Sequence, residues 1–484
     1  MPEVPVAGSP VRILGVGAGA PALRLAASDI GAAWGRGGRG RIAACAPDED
    51  TLTLAWDAAS AALAAAGVEA GSVDAIYWGT SRPPFAEGPS LPFLAAALGL
   101  PTSAGGALLA GSAHAGMDAL TAGADSIAAG SSRVALVVVS DAIRPGLGTG
   151  FEARCGAGAA AIVLSAHGGA ASLGPRVTHS RPLVDRYRGD GETDNRDLYD
   201  ARLFREEIFL PSIEAVTHQM DQIDQLKSSP VGAWSLPDPD GRLGAVIAKR
   251  VGTDPAASAA VYASVGDTGA AAALLGAIGA MDAPGTVAFV GYGGGRTTGA
   301  IVNVEAAVPG AAVVAATLER GRPASYTEVL RARGQLVAGG ETIPMGVPPE
   351  SALFVRGADE MLGLLAGRCV DCGTISTPPS IHPTCTNCGG PKLEPVSVAR
   401  SGSVHTFVIN HTMPAPFVAP LPIAVLDMDD GARLMLQVIG DGSDVEIGRR
   451  VELVLRKYAH ERGVPVYGFK ARPVDGRVET RGES

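Results

Sequence analysis

Apolar residues recur along the chain with two periods. From Val11 to about Asn303, β-branched apolar runs alternate with alanine-rich stretches, the pattern of a largely buried sheet flanked by helices. Val73 to Gly79 (VDAIYWG) and Val134 to Val139 (VALVVV) are apolar runs bounded by turn residues, which predicts strands covered on both faces. A helix precedes each. Thr51 to Ala66 holds apolar positions at helical spacing and stops at Gly67, and Ala113 to Gly130 does the same behind a Ser112 cap. The second half repeats the theme, with helices over Asp240 to Val251 and Ala270 to Met281 and a strand over Thr286 to Gly291. A duplication is expected. Between the halves, Arg181 to Gln225 is dense in charged and aromatic residues and reads as an excursion that caps the core and shapes a substrate mouth.

The pattern weakens after Ala306. A helix is expected over Tyr326 to Arg333 and a Gly/Pro-rich joint over Gly339 to Glu350. Beyond Pro391 short alternating segments take over, at Gly402 to Ile409, Ile423 to Asp427, Leu434 to Ile439 and Arg450 to Leu455. Their spacing suggests a small β-barrel. The boundaries that follow are 11–335 for the large domain, 336–366 for a linker, 367–392 for a cysteine-bearing segment and 393–475 for the barrel.

Length and composition agree with several domains. At about 150 residues per domain, 484 residues make roughly three. The 39 Lys and Arg against 49 Asp and Glu give a net charge of −10, which disfavours a nucleic-acid partner. The longest apolar run, Ala270 to Met281, falls short of the roughly 20 residues that cross a bilayer, so no membrane association is expected. Met1 to Pro10 contains Glu3 and several prolines where a signal peptide needs a basic start and an apolar core. A cytoplasmic location is expected.

Four of the six cysteines lie close together. Cys369 and Cys372 form one CxxC pair, Cys385 and Cys388 a second, twelve residues apart. This is the two-knuckle spacing in which four thiolates converge on a tetrahedral zinc ion. Gly373 and Gly389 follow the second cysteine of each pair, where glycine lets backbone amides turn toward sulfur. A closed set of four sulfurs makes the metal structural. Two disulfides or a rubredoxin-type iron centre are the alternatives. His382 lies between the knuckles and is read as a loop residue, and Cys45 and Cys155 as small packing residues.

From Cys369 through Val474 the chain resembles a family of acyl-CoA-associated proteins built from a rubredoxin-like zinc ribbon and an OB-fold. The ribbon leads directly into SGSVHTFVINH, the hairpin PLPIAVLDMDDGARLMLQVIG and the late GRRVEL turn. The first 335 residues resemble the hydroxymethylglutaryl-CoA synthase and ketoacyl synthase branch of the thiolase superfamily. The landmarks RIAACAPDEDTLTLAWDAA, GSAHAGMDALTAGADSIAAGSSRVALVVVSDA, GAGAAAIVL, VGDTGAAAALLGAIGAM, VGYGGGRTTGAIV and SYTEVLRARGQL come in the expected order. The resemblance implies an α/β fold class, a duplicated five-layered αβαβα arrangement, followed by the ribbon and a small OB-fold barrel. It also implies a CoA thioester as substrate or ligand, a thiolase subunit as partner, and a homodimeric core or a mixed hetero-oligomer.

The resemblance fails where catalysis is expected. Active relatives place a cysteine at the strand-to-helix bend, where the helix N-terminus stabilises its thiolate. Here Gly111-Ser112-Ala113-His114-Ala115-Gly116 puts Ala113 at that place, and a methyl group cannot form a thioester. The catalytic histidine of the synthase branch falls at Pro237 in SLPDPDGRLGAVIAKRVG, a residue with neither a titrating ring nor a free amide. The asparagine of the NTG turn is Asp267 in Val265-Gly266-Asp267-Thr268-Gly269, an acceptor where an oxyanion needs a donor.

Two functions compete on these residues. The first is a fused scaffold subunit with a silent synthase-like site, working with a separate Cys-bearing thiolase to make or cleave a carbon–carbon bond in an acyl-CoA. The second is an independent aldolase-type lyase on a β-hydroxyacyl-CoA, with His114, Asp267 and Tyr292 as acid/base groups. Lys249 and Arg250, with Arg186 and Arg188 of the insert, are candidate CoA phosphate ligands, and Gly293 and Gly294 of the GYGGG run a bed for ligand or for the facing half. A nucleic-acid role through Phe407, Phe417, Tyr458, Tyr467 and Phe469 is disfavoured, since aromatics at such spacing more often belong to a core.

Overall fold

The long apolar runs form strands because each has apolar neighbours above and below it. The computed structural model of the chain describes residues 10–36, 38–197, 200–223, 230–337, 356–413, 417–461 and 464–477. Most of the linker and the Gly339 to Glu350 joint lie outside them. The chain divides into two compact units, which separate near residue 337.

The first unit is built on one nine-stranded sheet. Its strands are β1 (Val11–Gly19), β2 (Ala75–Gly79), β3 (Gly105–Leu109), β4 (Val134–Ala142), β5 (Ala157–Ser165), β6 (Ala171–Ser180), β7 (Val231–Ser235), β8 (Gly285–Gly293) and β9 (Arg296–Val304). The order is β7-β8-β9-β6-β1-β5-β4-β2-β3. Read outward from the centre, the first half runs β1, β5, β4, β2, β3 and the second β6, β9, β8, β7. The two halves thus share one topology, as the expected duplication requires. Among the described residues the second lacks a counterpart of β3; the segment in that place makes one bridge, Cys155 to Asp267. Within the sheet the halves are joined, among the described residues, by the pairing of Val11 to Ile13 of β1 with Ala171 to Leu173 of β6.

Helices fill the space around them. The α1 helix (Thr51–Ala66) starts on Asp50, whose side chain accepts from Leu52 N and Thr53 N, and ends at Gly67 with φ 62°. It covers β1 and β5. Between the halves lie α2 (Ala115–Ala128) and, further along the chain, the helix over Ala272–Gly279. Met117, Leu120 and Ile127 of α2 and Leu274, Leu275 and Ile278 of the later helix share one core with Val137 and Ile162 of the first half and Phe289 and Val302 of the second. Outside the second half lie α3 (Leu210–Asp221) and α4 (Leu243–Val251), burying Ile213, Val216 and Ile247 against Ala288, Val290 and Ile301. With the helix over Ala272–Gly279 labelled α5, the layers are α1, half-sheet, α2 with α5, half-sheet, α3 with α4.

Two expectations change. The segment Arg181 to Gln225 is not wholly an excursion, because its α3 helix is the outer layer of the second half; a short hairpin, Arg186–Tyr187 with Arg196–Asp197, is what remains of the insert. The α2 helix begins at Ala115, with His114 as its first flanking residue and Ser112 Oγ accepting from His114 N at 3.1 Å.

The second unit starts with a three-stranded sheet of β10 (Leu365–Cys369), β11 (Ile375–Ser376) and β12 (Leu393–Ser397). Five antiparallel strands follow: β13 (Ser401–Asn410), β14 (Leu421–Met428), β15 (Arg433–Gln437), β16 (Arg449–Glu461) and β17 (Val464–Arg477), in the order β15-β14-β13-β16-β17. A bridge from Val438 to Ala471 closes them. Alternate residues point inward, among them Val404, Leu426, Leu453 and Leu455, as a one-sided core requires. Tyr467 and Phe469 are buried with them, which agrees with the core reading of these aromatics. No described helix is long and apolar enough to cross a membrane.

Candidate functional site

Strands β2, β3 and β4 run parallel, so Gly79, Leu109 and Ala142 end on one edge. Ligands of open α/β sheets gather at such a carboxyl edge. The chain leaves β3 there, turns through Gly111 and Ser112, and enters α2. A Cβ on Gly116 would lie 2.1 Å from Ala270 O. The absence of a side chain at residue 116 therefore lets the heads of α2 and α5 abut.

Ala113 sits at the head of α2, partly buried. A Cβ on Gly293 would meet His114 N at 2.4 Å and Ala113 Cβ at 2.9 Å, and one on Gly291 would meet Met117 Cγ at 2.3 Å. The GYGGG run thus admits the facing half, which is one of the two roles expected of it. Gly294 lies similarly close to Ser112.

His114 is not free for chemistry. Its ring is 1% exposed, and its Nε2 shares a 2.8 Å hydrogen bond with Thr298 Oγ1. Nδ1 lies 3.1 Å from Asp118 Oδ2. Asp118 is also bridged to Arg296 at 2.7 Å. Burial pushes the Asp118 carboxyl up, but His114 and Arg296 outweigh it and hold it below the ordinary range.

Tyr292 takes no part in that cluster. Val287 and Phe289 of β8 face the central helices, whereas Ala288, Val290 and Tyr292 face the outer layer. Tyr292 packs edge-on to Phe209 at 5.2 Å and donates to Asp185 Oδ2 at 2.7 Å. The expected pairing of His114 with Tyr292 is corrected by this alternation, which puts them on opposite faces of the sheet.

Asp267 forms a separate buried knot. Its Oδ2 is 2.9 Å from Arg186 Nη1, its Oδ1 accepts from Gly269 N at 3.0 Å, and its backbone bonds to Arg154 O and Gly156 N. Asp141, fully buried at the end of β4, accepts from Ser81 N, Ser81 Oγ at 2.6 Å and Ala270 N at 3.0 Å. The amides at the head of α5 are thus occupied by the chain's own carboxylates. Burial pushes the Asp141 carboxyl up to about 6. Sequence reasoning missed Asp141; the signal was an acidic residue directly after the apolar run VALVVVS.

The remaining candidates are scattered. Pro237 follows β7, partly buried beside the core residues Trp234 and Leu236. Lys249 and Arg250 lie exposed on the outer helix α4, where Arg250 pairs with Glu214 at 2.6 Å. They are therefore not gathered at the head of α2. Cys155 is buried with Ile143 and Phe151, and burial pushes its thiol up to about 12, which suits a packing residue.

In the second unit, the sulfurs of Cys369, Cys372, Cys385 and Cys388 all lie within 4.8 Å of one another. Cross-pair distances are 3.6 Å for Cys369 with Cys388 and 3.5 Å for Cys372 with Cys385. A tetrahedron with Zn–S bonds of about 2.3 Å has S···S edges of roughly 3.8 Å, so the donor set fits structural zinc. None of the six cysteines is in a disulfide. Gly373 and Gly389 have φ of 75° and 74°, and Asn387 N and Cys388 N donate to Cys385 Sγ at 3.4 Å. His382 is a loop residue outside the cluster.

The layered first unit is thiolase-like, and the closed barrel of the second is an OB-fold. Residues 395–456 match the family described as ChsH2, C-terminal OB-fold domain. A DUF35 domain-containing scaffold protein of Methanothermobacter thermautotrophicus is 33% identical over 124 residues, which are 24% of this chain and 92% of that protein. A hydroxymethylglutaryl-CoA synthase of Methanopyrus kandleri is 27% identical over 299 residues, 59% of this chain and 85% of that enzyme. A solved structure, MvaS in complex with 3-hydroxy-3-methylglutaryl coenzyme A, shares the fold with a TM-score of 0.59 at 19% identity, over 70% of this chain and 95% of its own. The chain belongs to the DUF35 family through its C-terminal part, which follows a domain of thiolase-like fold similar to hydroxymethylglutaryl-CoA synthases.

Two measurements check this site. The Asp141 carboxyl has a folded value of about 6 against an ordinary 3.8, so its contribution is full below pH 3.8 and is lost as pH rises through 6. The unfolding free energy of wild type minus that of Asp141→Asn should therefore fall by about 2 kcal/mol between pH 4 and pH 7; a pH-independent difference contradicts the assignment. Elemental analysis of the purified chain should find one zinc per chain, lost in Cys372→Ser, whereas iron or no metal contradicts a zinc site.

Proposed function

We propose that the chain is the synthase-like subunit of an acyl-CoA complex of thiolase or acyltransferase type that makes or cleaves a carbon–carbon bond. Its own site is silent, and a separate thiolase subunit supplies the reactive cysteine. The observation that carries this reading is Ala113 at the head of α2, packed against Gly293, where acyl transfer needs a thiolate.

The other catalytic groups are missing for independent reasons. Pro237 offers no base. Asp267 is held by Arg186 and accepts where an oxyanion needs a donor. Gly269 N and Ala270 N, at the head of α5, already donate to Asp267 and Asp141. The lyase reading loses its acid/base pair, because His114 is committed to Thr298 and Asp118 and Asp267 to Arg186.

The kept fold supports the positive half of the proposal. The Methanothermobacter relative is named a scaffold, and the MvaS structure holds a CoA thioester, so the chain retains a thioester-shaped domain next to an assembly module. The four-cysteine cluster serves as a structural zinc ribbon: with four sulfurs as ligands it has no open position for a Lewis-acid step. A homodimeric core or a mixed hetero-oligomer with the thiolase fits such a subunit.

The isolated chain should show no acyl-CoA carbon–carbon bond formation or cleavage. Adding the thiolase encoded beside its gene should give turnover together with co-elution of the two chains. Turnover by the chain alone, or none in the co-eluted complex, overturns the proposal.

A further inference from the structure

Three arginines converge on the hairpin loop Arg188 to Asn195. Arg82 lies three residues past the end of β2 and Arg144 two past the end of β4, on the carboxyl edge where α2 begins. Arg82 Nη2 donates to Thr193 O at 2.7 Å, and its Nη1 reaches Asn195 Oδ1 at 3.5 Å. Arg188 Nη1 donates to Glu192 O at 3.1 Å. Arg144 is paired with Asp194 at 2.6 Å.

The charges do not balance. Among the described residues neither Arg82 nor Arg188 is in a salt bridge, Glu192 is bound to Arg196 and Asp194 to Arg144, and Asp141 and Asp194 attract Arg82 only from beyond salt-bridge distance. Burial lowers the Arg82 guanidinium to about 10, and repulsion from Arg188 and Arg144 adds to it against the weaker attraction of Asp141 and Asp194. Like charges are held this close at a cost unless an anion joins them. Gln335 Nε2, which donates to Pro145 O at 2.7 Å and lies 3.3 Å from Asp194 Oδ1, shares the one carboxylate that pairs with Arg144.

We propose that Arg82, Arg144 and Arg188 form an oxyanion subsite that takes an anionic group of the thioester bound at this edge. The inference rests on the acyl-CoA reading above and narrows its ligand. Guanidinium forks bind carboxylate and phosphate alike, so the group is a carboxylate on the acyl chain or a phosphate of the carrier.

Calorimetric titration of the full chain with succinyl-CoA, butyryl-CoA and the two matching pantetheine thioesters tests it. A carboxylate ligand makes succinyl thioesters bind roughly tenfold tighter than butyryl ones on both carriers. A phosphate ligand makes both CoA esters tighter than their pantetheine counterparts. In either case Arg188→Gln, on the exposed loop, should remove that preference with an unchanged melting temperature, and Arg82→Gln should remove it as well, with a lowered melting temperature because the hairpin loses its bonds to Thr193 and Asn195. Variants that keep the wild-type preference overturn the subsite and leave the acyl-CoA reading standing. A wild-type chain that binds no thioester overturns both.

Discussion

The approach of Gly116 to Ala270 governs where every group of the large unit's site can be. A methyl at residue 116 would lie 2.1 Å from the Ala270 carbonyl, closer than packed atoms come, so the two central helices meet at their heads. Each head carries unsatisfied amides and a partial positive charge. In a working condensing enzyme that field stabilises a thiolate and an oxyanion. Here the head of α2 meets the methyl of Ala113, and the head of α5 is occupied by Asp141 and Asp267. The electrostatic frame is kept while the groups it would serve are absent or already bound.

The same meeting explains the glycines that line it. Gly291 and Gly293 of β8 face α2 at distances that leave no room for a side chain. Their neighbour Tyr292 turns to the opposite layer. Of the two roles the run admits in sequence, a ligand bed or the approach of the facing half, the fold shows the second.

The α/β class, the duplication and the helix over Thr51 to Ala66 were legible because each rests on local periodicity or a local cap, such as Gly67. The four-cysteine cluster was legible because ligand spacing is itself the signal. What stayed hidden depends on long-range contact. The α3 helix carries charged flanks, so its membership of the outer layer shows only when Ile213 and Val216 meet Ala288 and Ile301. The Arg186–Asp267 pair spans the insert and the second half, and the Asp141 knot joins β2, β4 and α5. No spacing in the chain announces either. Assigning His114 and Tyr292 to one site failed for a related reason: adjacency to a motif says nothing about which face of a strand a residue takes.

The account stands on the missing sulfur at residue 113. Single-turnover release of CoA from acetyl-CoA, followed in wild type, Ala113→Cys and Ala113→Cys with Pro237→His, tests it most directly. Wild type should release no CoA and carry no acetyl group, and any acetyl group gained by the variants should sit on residue 113. Release of CoA from wild type with an acetyl group left covalently on the chain would contradict the silent site.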